Sequence, residues 1–209
     1  MHDVAAVALV PADGAHAQLA ARLILATDPH VFDFWFDRDR QLAADLFADQ
    51  WPRPGGVFSH VHASAASEGG ELLGIELGLD ARAQRAQWAH TLPATKQFLS
   101  PQAFAHLLDA FRWMPFLIPP IPEDAYYVQH LAVVPELHGR GVGARLLLHA
   151  FEKAMKAGYR SCHLDVVADG PAVRFYRRMG MEVLCETRVP RLEAEYDVPP
   201  HLRMRKPLV

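Results

Sequence analysis

The feature that most constrains this chain is a glycine-rich loop at residues 138–143 (HGRGVG), placed between a strand pattern and a helix pattern. Residues 128–134, before the loop, are apolar and β-branched, which is typical of a strand buried on both faces. After the loop, apolar residues recur every fourth position from Val142 to Ala154, as in an amphipathic helix. The glycines therefore lie where a strand turns into a helix.

This position favours an anion. The first turn of a helix leaves backbone N–H groups without partners and carries about half a positive charge. Glycines have no Cβ to hold a phosphate away, and they accept the positive φ angles that point successive amides at one place. The loop therefore predicts a phosphate or pyrophosphate site.

The spacing of the loop excludes two common phosphate sites. A Walker A loop needs Lys followed by Ser or Thr after its last glycine, whereas Gly143 is followed by Ala144 and Arg145. A dinucleotide fingerprint needs G-x-G-x-x-G, and this loop contains G-x-G-x-G. Residues 131–147 instead resemble the acyl-CoA-binding motif of the GCN5-related N-acetyltransferase (GNAT) superfamily, Q/R-x-x-G-x-G/A, with His138 at the Gln/Arg position.

A second stretch, residues 164–181, is similar to the other signature of that family. The family has a strand, a helix start of the form Asn-x-x-Ala, then Phe-Tyr and Gly-Phe. Here Asp169 stands for the Asn, Ala172 follows, and Tyr176 is the tyrosine. An Asp can only accept hydrogen bonds, so a contact donated by the Asn side chain is lost.

The resemblance implies an α/β (α+β) fold: a mixed, mostly antiparallel central sheet flanked by helices, with a splayed strand pair that holds acyl-CoA. It implies one domain over residues 1–209, with an acceptor-side half at 1–125, an acyl-CoA-binding core at 126–189, and a C-terminal loop and strand at 190–209.

The implied cosubstrate is acetyl-CoA. Strand residues Leu131, Ala132 and Val133 would pair with its pantetheine arm, and backbone amides from Arg140 to Ala144 would bind its pyrophosphate. The full set of implied cofactor-binding residues is Leu131, Ala132, Val133, His138, Gly139, Arg140, Gly141, Val142, Gly143, Ala144, Asp169 and Ala172.

The implied reaction transfers acetyl to a primary amine of a small molecule or peptide, by direct attack in a ternary complex. Tyr176 is the expected general acid, since a phenol is protonated at neutral pH; the alternative is a core aromatic. His130 is a candidate general base because imidazole titrates near neutrality, although it fits a core histidine as well. A chain of waters leading to Asp165 or Glu123 is the competing arrangement.

Composition limits the other possibilities. With 209 residues and 51% hydrophobic content the chain can bury one substantial core. A formal net charge of -3 gives no case for nucleic acid as a partner. No membrane span and no secretory signal are recognised, so we expect a soluble, cytoplasmic protein. Cys162 and Cys185 lie in apolar contexts and are expected to be buried thiols. The oligomeric state, a homodimer included, stays open.

The N-terminal half should begin with a strand at residues 4–11 and a helix capped by Asp13. Phe32, Phe34 and Trp35 are candidates for the acceptor pocket or for the core. Residues 57–63 and 71–79 alternate and predict an antiparallel hairpin. His60 and His62 would then face one side of a strand; we expect surface histidines there rather than a metal site.

The following segment predicts helices over residues 81–110, with Ser100 as an N-cap. Residues 115–122 contain too many prolines for a helix, so a stiff apolar loop is expected there, either a wall of the acceptor site or an interface.

In the C-terminal half we expect strands at residues 161–167, 181–189 and 201–206, a helix after Gly170 and Pro171, and a loop at 190–200. The helix carries Arg174, Arg177 and Arg178, which are a solvated surface or a contact to a CoA phosphate.

Three functions remain after the sequence is read. The leading one is an N-acetyltransferase. The second is a GNAT-like module that binds acyl-CoA without catalysis, and the third is a nucleotide-binding protein of another kind.

Overall fold

A computed structural model describes residues 6–208. Seven strands form one sheet in the spatial order β1-β2-β3-β4-β5-β7-β6. All neighbouring strands are antiparallel except β4 and β5, which are parallel. The strands are β1 (Ala8–Pro11), β2 (Ala63–Glu68), β3 (Glu71–Asp80), β4 (Ala125–Val133), β5 (Ser161–Val167), β6 (Glu182–Thr187) and β7 (His201–Pro207). This is the mostly antiparallel mixed sheet that the sequence predicted.

Eight α-helices accompany these strands over residues 6–208: α1 (Ala17–Thr27), α2 (Pro29–Trp35), α3 (Arg40–Gln50), α4 (Ala81–Phe98), α5 (Pro101–Leu117), α6 (Val142–Lys156), α7 (Ala172–Arg178) and α8 (Pro190–Tyr196). Side-chain oxygens of Asp28, Asp39, Asp80 and Ser100 accept a backbone N–H in the first turn of α2, α3, α4 and α5. Such caps satisfy donors that the helix itself leaves unpaired.

The helices cover the sheet on both faces. Helices α1 and α3 pack with the inward side chains of β3, among them Ile75 and Leu77, in the largest core cluster. Helix α6 packs on the opposite face, where Leu147 and Phe151 meet side chains of β4 and β5. The amphipathic stripe predicted for α6 is confirmed, since Val142, Leu146, Ala150 and Ala154 are all fully buried.

The parallel pair is joined over only three residues of each strand. Ala125, Tyr126 and Tyr127 pair with Ser161, Cys162 and His163, and the strands then part. Beyond this point β3 occupies one edge of β4 and β7 occupies the far edge of β5. Among residues 6–208, no strand pairs with the edges of β4 and β5 that face each other beyond this point, and we call the space between these edges the splayed gap.

A β-bulge lies in β4 at the start of this gap. Leu77 of β3 pairs with His130, whereas the next residue, Gly78, pairs with Val128. Gln129 is thus the extra residue, and such a bulge changes the direction of the side chains near it.

Several boundaries differ from the sequence-based prediction at the N-terminus. The first strand covers Ala8–Pro11, and the predicted start at residues 4–5 lies outside the described residues. Asp13 does not cap α1; its carboxylate accepts from the Ala15 amide at 2.9 Å, and the helix begins after His16, whose φ is 57°. A local Asp turn thus takes the side chain that the helix would have used.

The strand predicted at residues 57–63 is wrong. Residues His60–His62 form a single 3-10 turn capped by Ser59, and β2 begins at Ala63. The His60 amide donates to the Trp51 carbonyl at 3.0 Å, and this bond fixes the chain in a turn. The predicted hairpin does exist, but its turn is at Gly69 and Gly70, which have φ of 59° and 88°.

Two proline-rich segments are more helical than predicted. Helix α5 continues through Pro115 to Leu117, and residues 190–196, expected to be a loop, form α8. Pro190 occupies the first turn of α8, where the helix would not have used its N–H group in a hydrogen bond.

The two cysteines differ from each other. Cys162 is buried as predicted, but Cys185 is exposed, because β6 is an edge strand that faces solvent.

Candidate functional site: the splayed gap and the glycine loop

The glycine loop adopts the conformation that its sequence predicted. Gly139 and Gly141 have φ of 73° and 87°, and Gly141 is the residue before α6. A Cβ at either position would meet no atom within 4 Å, so backbone conformation, and not lack of space, requires glycine there. Gly143 differs, because its position inside α6 needs no positive φ and a Cβ would make ordinary contacts with Val133 and Phe175.

The amides of the loop divide into two groups. The Arg140 amide donates to the Leu137 carbonyl at 3.2 Å, so this N–H group is already engaged within the turn. This contact corrects the expectation that the phosphate-binding amides begin at Arg140. The Arg145 amide donates to the Gly141 carbonyl at 3.1 Å and starts the helix ladder. Val142, Gly143 and Ala144 precede that first bond, and their N–H groups lie in the positively polarised first turn of a 15-residue helix.

His138 ties the loop to the end of β4. Its Nε2 atom lies 2.9 Å from the Val133 carbonyl oxygen, to which it donates. The side chain is exposed, but its Nε2 atom is already hydrogen-bonded to the Val133 carbonyl. His138 therefore positions the loop against the splayed gap in addition to flanking the amides.

The strand residues expected at the pantetheine line the gap. Leu131, Ala132 and Val133 are half-buried at the free edge of β4. Asp169 is exposed in the turn after β5, and Ala172 begins α7. The turn is held by the Ala168 amide, which donates to the Pro200 carbonyl at 2.8 Å. These residues therefore belong to β4 and to the segment after β5, the two strands that border the gap.

Tyr176 is on α7, one helical turn after Ala172. Its ring packs beside Phe175, at 5.1 Å between ring centroids, and Phe175 reaches towards Gly143. Burial raises the pKa of the Tyr176 phenol far above its ordinary value, and proximity to Cys162 adds to the shift. Because Cys162 pairs with Tyr126 where β4 and β5 are about to part, the phenol lies near the base of the gap. Its hydroxyl has no hydrogen-bond partner within residues 6–208.

His130 occupies the opposite face of the sheet and is buried at 7% exposure. The Thr27 hydroxyl donates to the Ile24 carbonyl at 2.7 Å, so the imidazole Nδ1, 2.9 Å away, must donate to the Thr27 oxygen. Nε2 is then the acceptor, 3.1 Å from the Gln129 side-chain nitrogen. Burial lowers the pKa of His130 to about 3. A neutral imidazole with both nitrogens engaged is poorly suited to be a base, so the structure favours the core role.

The carboxylates on this face are also engaged. Arg203 donates to Asp165 at 2.7 and 2.9 Å, and the Tyr127 hydroxyl donates to the same carboxylate at 2.8 Å. Glu123, the other sequence candidate, is exposed and paired with Arg85 at 2.9 Å. Neither candidate is a free acceptor for a proton.

A buried pair that sequence reasoning missed joins residues far apart in the chain. His201, 1% exposed, lies 2.7 Å from the Asp28 carboxylate and 2.9 Å from the Pro199 carbonyl. Both neighbours accept hydrogen bonds, so both ring nitrogens must donate. Burial opposes the charge, but the bond to Asp28 and its charge raise the pKa of His201 overall. Only the local signal was readable in the sequence: Asp28 before Pro29 marks an N-cap.

The other side chains named in the sequence analysis lie either in the core or at the surface. Phe32 and Phe34 are buried, at 3% and 4% exposure, and Trp35 is half-buried. Arg174, Arg177 and Arg178 are exposed on α7, and none has an ion pair with another described residue.

No group of three or more metal-ligating side chains is assembled within the described part of the chain. None of its helices is long and apolar enough to cross a membrane.

The segment at residues 115–122 is attached to β6 and β7. Arg203 donates to the carbonyls of Pro119 and Pro120, and the Thr187 hydroxyl donates to the Leu117 carbonyl at 2.6 Å. Phe116 remains 66% exposed. The segment is thus fixed to the sheet on one side and open to solvent on the other.

Comparisons with known proteins agree with this geometry. Residues 103–181 match the model of the Acetyltransferase (GNAT) family. An N-acetyltransferase from Staphylococcus aureus Mu50 has a TM-score of 0.68 at 12% identity, covering 95% of this chain and 100% of that chain. A Bacillus subtilis acetyltransferase in complex with CoA has a TM-score of 0.57 at 15% identity, covering 97% and 99%.

Ard1 from Thermoplasma volcanium is similar as well, with a TM-score of 0.55 at 14% identity, covering 98% and 99%. At these identities the solved structures show a shared fold, while the family model matches the segment that contains both sequence motifs. Residues 103–181 are therefore similar to the Acetyltransferase (GNAT) family, and the chain as a whole has the fold of these solved acetyltransferases.

Proposed function

We propose that this protein is an acetyl-CoA-dependent N-acetyltransferase that acetylates a primary amine of a small molecule or peptide. The observation that carries the proposal is the free edge of β4 beside the glycine loop. A strand edge without a partner offers backbone N–H and C=O groups to an extended chain. The first turn of α6 offers unpaired amides to a diphosphate at the end of that edge.

Acetyl-CoA fits these two features in one orientation. Its pantetheine arm lies along Leu131, Ala132 and Val133, and its pyrophosphate is bound by the amides of Val142, Gly143 and Ala144. Gly139 and Gly141 shape the approach, His138 holds the loop, and Arg140 supplies a charge from its exposed side chain. Asp169 and Ala172 flank the arm from the β5–α7 side. The thioester then lies near the base of the splayed gap.

The reaction needs a proton donor at the sulfur. The neutral amine nitrogen forms a bond to the thioester carbonyl carbon and gives up one proton to water, the C–S bond breaks, and the departing thiolate takes a proton from a donor that water reprotonates. Tyr176 is our choice of donor, because its phenol is near the base of the gap, has no partner among the described residues and stays protonated at neutral pH.

Water is our choice of acceptor for the proton that the ammonium releases. Asp165 and Glu123 are held by arginines, and His130 is neutral with a pKa of about 3. Without a protein base, log kcat/KM should rise with pH at a slope near one until the acceptor amine itself is deprotonated. A plateau beginning near neutral pH would instead reveal a protein base.

The test combines binding and turnover. Calorimetry should detect acetyl-CoA binding to the protein, and an amine panel should accelerate CoA release above thioester hydrolysis. Tyr176→Phe should lower kcat by about 100-fold or more while leaving acetyl-CoA affinity within twofold, as expected for loss of a general acid. Tyr196→Phe, on α8, is the matched control and should leave kcat unchanged.

A second candidate function is an acyl-CoA-binding module without catalysis. The observation that favours it is the engagement of every candidate base by another group in the described chain. Such a module would bind acetyl-CoA tightly, yet no amine would accelerate CoA release, and Tyr176→Phe would change neither property.

A further inference from the structure

The face of β4 that carries His130 also carries a closed circuit of neighbouring aromatic side chains. Phe32 contacts Trp35, which contacts Phe111, which contacts Trp88; the ring centroids are 5.4, 4.8 and 5.1 Å apart. The circuit closes through Phe58 and His130, with centroid distances of 6.3, 5.9 and 6.0 Å. We call this set of six residues the aromatic circuit.

The circuit has a buried side and an accessible side. Phe32, Phe58 and His130 are buried against the core. Trp35, Trp88 and Phe111 are only partly buried, and they come from three different helices, α2, α4 and α5. Three aromatic rings from separate helices therefore meet at the partly exposed side of the circuit.

The buried side ends at the bulge residue Gln129 in β4, two residues before the strand edge proposed for the pantetheine. There the Gln129 side-chain nitrogen donates to the Val57 carbonyl at 3.3 Å and to His130 at 3.1 Å. Its two N–H groups are therefore used. Its carbonyl oxygen receives no hydrogen bond from any residue in the range 6–208, so it can accept one from an ammonium or amine.

A second unsatisfied group lies on the same circuit. The indole N–H of Trp35 is buried and has no acceptor among the described residues. Most buried donors in proteins are paired, and an unpaired one costs about 1–3 kcal/mol. An oxygen atom of a ligand seated among these rings would satisfy it.

We infer that the aromatic circuit is the acceptor site and that the acceptor is an arylalkylamine with an oxygen able to accept a hydrogen bond. This inference rests on the proposed acetyl transfer. The aryl group packs among Trp35, Trp88 and Phe111, the oxygen accepts from the Trp35 N–H, and the amine donates to Gln129 beside the thioester. The aromatic faces also favour the cationic form of the incoming amine.

The experiment compares three amines with acetyl-CoA: tyramine, 2-phenylethylamine and n-hexylamine. We expect kcat/KM for 2-phenylethylamine to exceed that for n-hexylamine by about tenfold, the size of one good aromatic contact. Tyramine, whose hydroxyl supplies the oxygen, should exceed 2-phenylethylamine by about fivefold or more, the size of one hydrogen bond.

Variants assign the preference to residues. Trp88→Leu should raise KM for the aryl amines by a larger factor than for n-hexylamine, because leucine keeps an apolar contact but removes the aromatic ring. Trp35→Phe keeps an aromatic ring but removes the N–H, so it should abolish only the advantage of tyramine over 2-phenylethylamine. Trp113→Leu is the control: Trp113 is on α5 but stacks under Arg191 at 5.1 Å, outside the circuit, and its loss should leave the preference intact.

The outcomes separate this inference from the proposed function. Equal use of all three amines, or a preference untouched by Trp88→Leu, would overturn the aromatic acceptor site and leave acetyl transfer standing. If no amine releases CoA from a protein that binds acetyl-CoA, acetyl transfer fails. In that case, a titration with tyramine that follows tryptophan fluorescence tests the aromatic site without turnover. Saturable quenching that is lost in Trp88→Leu would support the site, and absence of quenching would overturn it.

Discussion

The buried imidazole of His130 makes the stability of this protein fall in mild acid. In the folded chain the pKa of His130 is lowered from 6.5 to about 3, with burial as the cause. Above pH 6.5 neither state binds the proton. Between these values the unfolded chain binds it and the folded chain does not, so stability decreases as pH falls. Each pH unit in this interval costs about 1.4 kcal/mol, which gives about 2 kcal/mol between pH 7 and pH 5.

The assay is chemical denaturation of the protein and of His130→Leu at pH 7 and pH 5. The variant loses the bonds to Thr27 and Gln129 and should be less stable at pH 7. It lacks the titrating group, however, so the difference in unfolding free energy between the two proteins should shrink by about 2 kcal/mol at pH 5. Other titrating groups cancel in this comparison.

Phe47→Leu is the control, because it alters the same core without changing a titratable group. Its stability difference from the unmodified protein should be the same at both pH values. An unchanged difference for His130→Leu as well, or an NMR titration of His130 with a midpoint near 6.5, would refute the reasoning and would return this imidazole to the list of candidate bases.

Three further predictions concern the glycines and the thiols. Gly141→Ala places a Cβ on a residue with φ of 87°, so it should cost about 1–2 kcal/mol of stability and weaken acetyl-CoA binding. Gly143 is helical, so Gly143→Ala should retain both stability and binding. Denaturation measures the stability of each variant, and calorimetry measures its binding. Gly78→Ala puts a Cβ within 2.5 Å of the Tyr126 ring and should destabilise by about 2 kcal/mol or more; a melting temperature within a degree of the unmodified protein would contradict the packing. Ellman's reagent should modify one thiol in the native protein, the exposed Cys185, and two after denaturation, because burial keeps the other thiol from ionising; two fast-reacting native thiols would contradict this.

The glycine loop and the strand and helix on either side of it could be predicted from short stretches of sequence. A strand, a glycine loop and a helix follow each other directly between residues 125 and 156, so local geometry suffices to place backbone amides at a helix start. The same holds for Tyr176, whose helix begins at a recognisable Gly-Pro. Here the sequence-based boundaries of β5 and α6 agree closely with the structure.

The segment from Trp51 to Leu117 could not be predicted in the same way. The histidine turn at residues 60–62 is fixed by a carbonyl of Trp51, and α5 continues through Pro115 although a proline disfavours it. These features depend on contacts made elsewhere in the fold, which override local propensity.

By itself, the sequence determined the conformation of the glycine loop and the order of most helices and strands, because each of these depends on neighbouring residues. Only the tertiary structure decided which distant side chains meet. It made His130 a neutral core residue by burying it beside Thr27, and it paired Asp28 with His201 across 173 positions of the chain. It also gathered Trp35, Trp88 and Phe111 from three helices. Contacts between remote residues arise from packing, and no local pattern encodes them.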